Sequence, residues 1–108
     1  MSSMILASLV SFVLSLNPAT AYAPTVIYTT ARFNQPVSGV VCFEAEAISE
    51  DAEIGYRSTC EDINGPVKQV RWRWNWVGEY RVRATFKGGT ERFVTPYQTL
   101  TIKASAGR

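Results

Sequence analysis

Val70-Arg71-Trp72-Arg73-Trp74-Asn75-Trp76-Val77-Gly78-Glu79-Tyr80-Arg81-Val82-Arg83-Ala84-Thr85-Phe86-Lys87 is the stretch on which the fold turns. Val70, Trp72, Trp74 and Trp76 share one face of an extended chain, with Arg71, Arg73 and Asn75 on the other. After the interruption at Val77-Gly78-Glu79 the alternation resumes, Tyr80, Val82, Ala84 and Phe86 against Arg81, Arg83, Thr85 and Lys87. Period-two patterning of large apolar residues means two half-buried strands. A hairpin closed by Gly78-Glu79 alone would put the tryptophans on the same face as Arg81 and Arg83, because a one-residue slip exchanges the faces. A three-residue loop avoids this but sets Arg73 opposite Arg83, which is unfavourable. A corner between two sheets keeps both apolar faces in one core, and is preferred.

Working outward, Lys87-Gly88-Gly89-Thr90 is a tight hairpin signal, and a final strand runs from Glu91 to Lys103 with Pro96 marking a bulge or an edge. Residues 104–108 read as a flexible tail. Upstream, Glu61-Asp62-Ile63-Asn64-Gly65-Pro66 is the strongest loop signal in the chain. Before it lie Thr25 to Thr30, Val40 to Ala47 with the cleaner apolar face Val41, Phe43, Ala45 and Ala47, a turn at Ser49-Glu50-Asp51, and a strand from Ile54 to Cys60. Pairing Cys42 with Cys60 across a hairpin sets Glu44 opposite Ser58 and Glu46 opposite Tyr56.

Val77-Gly78-Glu79-Tyr80-Arg81-Val82-Arg83-Ala84 resembles the corner between strands E and F of the immunoglobulin-like superfamily, where a Tyr begins strand F. Phe86 to Ile102 resembles the following F–G hairpin of fibronectin-like modules. The resemblance covers about the last forty residues and implies that the Tyr80 hydroxyl hydrogen-bonds upstream backbone. It implies an all-β fold, an Ig-like antiparallel β-sandwich of about 6–7 strands. Antibody-type domains carry a cysteine two residues after that Tyr; here the position is Val82, and Cys60 lies too early for the family's inter-sheet bond.

Ile5 to Leu16 carries no charge and is followed by Asn17-Pro18 and small residues, the layout of a signal-peptide helix with its cleavage region. The expected division is a signal peptide over 1–21 (alternatively cut after Ala23) and a β-sandwich domain over 22–103. The apolar run of about 12 residues is short of the roughly 20 that span a bilayer. Export would place Cys42 and Cys60 where a disulfide persists. Closing a loop of about 18 residues contributes roughly 3 kcal/mol on the chain-entropy account.

The net charge of +2 conceals an acidic stretch between Cys42 and Asp62 and a basic one after it. The chain has no histidine, so neither Ser-His-Asp nor Cys-His catalysis can be built, and no cofactor is implied. No phosphate-binding loop is present, and paired carboxylates such as Glu44 and Glu46 read as solvated strand charges rather than a hydrolytic pair. Glu50, Asp51 and Glu53 are a weak calcium candidate, without the ordered spacing of a calcium loop. Trp76, at the end of the indole row, is the candidate for stacking on a ligand. Arg71, Arg73, Arg81 and Arg83 would grip anionic groups if adjacent, and would split into separate faces if their strands lie in opposite sheets. The expectation is a secreted, non-catalytic Ig-like module that binds a protein or glycan, with no nucleic acid and no stable membrane insertion. A carbohydrate-binding module using Trp and Arg, and a secreted inhibitor or effector, are the alternatives.

Overall fold

The computed structural model describes residues 10–105. Among them no helix occurs, and seven strands make one curled mixed sheet. They are β1 (Phe12–Asn17), β2 (Thr20–Tyr22), β3 (Thr25–Ala47), β4 (Tyr56–Trp74), β5 (Gly78–Gly88), β6 (Glu91–Val94) and β7 (Gln98–Lys103).

β3 and β4 form a long antiparallel hairpin from which the rest is hung. Residues 25–32 of β3 pair with 67–74 of β4, and 37–46 pair with 56–65. The register shifts between Arg32 and Val37, opposite Pro66. Pro36 and Pro66 both fall in this gap, where no ladder hydrogen bond is asked of a residue without an N–H. β1 pairs with the first part of β3, Phe12 opposite Phe33 through Asn17 opposite Tyr28. β5 pairs with the second part, Val40 opposite Lys87 through Ala47 opposite Tyr80. The other side of β5 takes β7 along 78–82 and β6 along 85–88, and β2 lies parallel on β7.

The alternating faces meet in one core. Ile27, Ala31, Phe33, Val41, Phe43 and Ala45 of β3, Trp72 and Trp74 of β4, and Tyr80, Val82, Ala84 and Phe86 of β5 are all buried, as are Leu100 and Ile102 of β7. Rings from segments that do not pair with each other touch across it. The centroids of Phe43 and Trp72 are 6.4 Å apart, those of Trp74 and Tyr80 5.1 Å, and those of Phe33 and Phe86 5.1 Å. Each such large side chain contributes about 1.5–3 kcal/mol by leaving water. β4 and β5 do not pair with each other, so neither hairpin register forms; the two strands are joined by a corner, but within one curled sheet rather than between two sheets.

That corner needs its glycine. Gly78 has φ 139°, and a Cβ there would come within 2.5 Å of the Ala52 Cα. The 48–55 loop docks on the same corner: Ile48 N–H donates to the Glu79 carbonyl at 2.9 Å, Glu53 N–H to the Val77 carbonyl at 2.9 Å. The Tyr80 hydroxyl donates to the upstream Val77 carbonyl at 2.8 Å.

Four expectations change. In place of two antiparallel sheets, the described strands form one curled sheet that includes a parallel pair, β2 on β7. The loop expected at 61–66 is paired strand, with Glu61 opposite Val41 through Gly65 opposite Val37; its Gly-Pro bends the ladder without ending it. The strand expected at Glu91–Lys103 is divided around Pro96, and the buried Thr95 bridges the gap: its N–H donates to the Ala84 carbonyl and its hydroxyl accepts from Ala84 N–H. The leader helix expected over 1–21 is not present in its described part, where residues 12–17 and 20–22 are strands and Leu14 belongs to the core. Residues 1–9 and 106–108, covering the start of that leader and most of the expected tail, lie outside the described residues.

Candidate interaction face

The indole row is inside. Trp72 is 2% exposed and Trp74 fully buried, while Trp76 is half-buried with its ring against Trp74 at 5.8 Å. Over all three lies the guanidinium of Arg57, 4.9, 5.0 and 5.3 Å from the ring centroids of Trp72, Trp74 and Trp76. Arg57 also donates to the Arg73 backbone carbonyl, and burial lowers its pKa from the ordinary guanidinium value. The Trp72 indole N–H donates to the Thr59 hydroxyl at 3.0 Å. Both groups belong to the first part of β4 and reach the last part of the same strand. The curl of the sheet has brought the two together, and Arg57 closes the opening between them with its stem on apolar surface and its charge over π faces.

The four candidate arginines separate. Arg71 and Arg73 are exposed on β4 opposite Tyr28 and Val26. Arg81 and Arg83 lie on β5, beside β3, and each meets a carboxylate. Arg81 Nη2 is 2.7 Å from Glu46 Oε1, and Arg83 Nε donates to Glu44 Oε1 at 3.0 Å. The hydrogen bond to Glu44 holds the Arg83 guanidinium above its ordinary pKa. Acidic and basic stretches of the chain are thus interleaved by the β3–β5 register. Glu50, Asp51 and Glu53 are not gathered into a metal-binding group, and none occurs among the described residues. Asp51 accepts from the Ser49 hydroxyl at 2.6 Å and Glu53 from Val77 N–H at 2.7 Å, so these two carboxylates fasten the docked loop.

The disulfide joins Cys42 and Cys60, directly opposite in the β3–β4 ladder with Cα atoms 4.0 Å apart. Glu44 faces Ser58 and Glu46 faces Tyr56, the register read from the sequence. The bond clasps neighbours within a sheet rather than linking two sheets.

Cys42, Glu44 and Glu46 of β3 and Arg81 and Arg83 of β5 lie on one outward surface, with the first part of β4 and the segment after β6 at its borders. At its polar end Glu44, Glu46, Tyr56, Arg81, Arg83 and Tyr97 line a concavity. The Tyr97 ring lies 4.3 Å from the Arg81 guanidinium and 5.0 Å from that of Arg83. Tyr56 is 60% exposed at the outer border. At the other end a groove of about 520 Å³ is lined by Val40, Cys42, Thr85 and Val94, with Lys87 and Arg92 among its borders. The sequence signalled the arginines but not the two tyrosines, because neither belongs to an alternating run; Tyr97 follows the Pro96 break. Arg57 was hidden among acidic neighbours. No helix among the described residues is long and apolar enough to cross a membrane.

No family model, curated protein or solved structure matches the chain.

Proposed function

We propose that this chain is a secreted, non-catalytic binding module of the Ig-like class, engaging a protein partner through the outward surface of β3, β5 and the first part of β4. Three features support the Ig-like assignment: the parallel β2–β7 pairing, the order β2-β7-β5-β3-β4 on one side of the bend with β1-β3-β4 on the other, and the Tyr80 bond at the corner. A disulfide accords with an oxidising compartment.

The observation that carries the functional reading is the Tyr97 ring set against Arg81 and Arg83, beside the exposed Tyr56. Tyr and Arg are among the residues enriched at interface hot spots, and here the ion pairs to Glu44 and Glu46 fix the arginines before any partner arrives. A sugar-stacking platform would need an open indole row, whereas Trp72 and Trp74 are buried.

Immobilised chain should retain a partner from the extracellular fluid or envelope extract of the producing cells. A Tyr56→Ala/Tyr97→Ala chain of unchanged circular dichroism should retain at least about tenfold less, the scale of one hot-spot residue. Equal retention by the two chains would remove this surface from the function.

A further inference from the structure

Lys87 and Arg92 stand directly opposite each other across the β5–β6 hairpin. Like charges so placed destabilise a sheet. Neither has a carboxylate within 4.0 Å among the described residues, whereas Arg81 and Arg83 on the same surface are both paired. The two cations flank an apolar floor. Val94 is 55% and Val40 37% exposed, and the half-buried Phe93 also lines the groove. β6 pairs only with β5 among the described strands, so its other edge is open to a further strand.

We infer that this groove receives an extended acidic segment of the protein partner, laid along β6, with carboxylates on Lys87 and Arg92 and an apolar side chain on Val94. A free inorganic anion would satisfy the cations but leave the apolar floor in water. A basic segment would add to the existing repulsion. An extended segment with an acidic and an apolar residue two positions apart meets both needs, because Arg92 and Val94 are themselves two apart on one face of β6 and the strand edge is open. Charge complementarity of this kind sets partner choice and association rate. The inference rests on the reading that this surface is an interface, and names what its second half recognises.

The test uses the isotope-labelled full chain and two capped hexapeptides, Ser-Glu-Ser-Val-Ser-Glu and the same sequence with Lys in place of Glu. The acidic peptide should give saturable amide shifts over residues 85–94, weakening as salt is raised, and the basic peptide none. Lys87→Glu/Arg92→Glu should weaken binding about tenfold or more, because both rim charges are reversed. Lys87→Gln/Arg92→Gln should fall between, and serves if the reversal disturbs folding. No shifts at millimolar acidic peptide, equal shifts with the basic one, or binding indifferent to both double variants would overturn the inference. If that occurs while partner retention still depends on Tyr56 and Tyr97, only the acidic-segment inference falls; if retention ignores those tyrosines, the interface reading itself falls.

Discussion

Tyr80 shows how one residue ties the core to the corner. Its ring packs on Trp74 in the interior, and its hydroxyl satisfies the Val77 carbonyl. Burial is the largest cause of a pKa raised above the ordinary phenol value. In the unfolded chain the same phenol ionises near pH 10. The folded form therefore holds its proton where the unfolded form has lost it, and the associated stability is complete below about pH 10 and lost as pH rises through the folded value. Spectrophotometric titration should find one of the five tyrosines ionising late, together with unfolding. Tyr80→Phe should remove that late step and cost about 1 kcal/mol, by taking away one of the two hydrogen bonds that the Val77 carbonyl accepts; five tyrosines ionising together in folded wild-type chain would contradict the assignment. Tyr80 was legible in the sequence because its neighbours fix a corner pattern. Arg57 was not. Its partners lie far along the same strand and come within reach only after the sheet curls, a relation that local alternation does not encode.

At the scale of elements, alternation told inside from outside, and turn residues told where the chain changes direction. Val41, Phe43 and Ala45, and Tyr80, Val82, Ala84 and Phe86, point inward as their period requires. The disulfide register followed from placing one pair of cysteines opposite each other. Asn64-Gly65-Pro66 misled, because the same residue types end a strand or bend one, and Pro36 across the ladder is what makes this a shared bend. Gly78 is the element on which the corner depends, having both a positive φ and the Ala52 backbone in the path of any Cβ. Gly78→Ala should destabilise the chain by about 3 kcal/mol, since strain and displacement of the docked 48–55 loop act together. Urea midpoints at constant slope would measure this, and a loss under about 0.5 kcal/mol, the range of an unconstrained surface site, would refute it.

For the whole molecule, the weight of the N-terminal strands was the least legible property. Residues 12–22 carry the composition of a leader, yet Leu14 is buried, Phe12 stacks on Phe33 at 4.3 Å, and β2 completes the edge of β7. Hydrophobicity alone does not tell whether such a segment folds as a helix or as strands of a core. A chain starting at Tyr22 would lack β1 and most of β2, and should lose about 4 kcal/mol, much of a small domain's stability. Its denaturation curve should shift to far lower urea or lose cooperativity; an unchanged curve would show these strands to be dispensable. The parallel β2–β7 pair has a mechanical consequence as well. β1 starts at the Phe33 and Phe86 end of the molecule, and β7 finishes beside Gly78 at the opposite end. Tension applied between the two ends therefore pulls along these strands, so that the rungs of β2–β7 must rupture together in shear instead of unzipping singly.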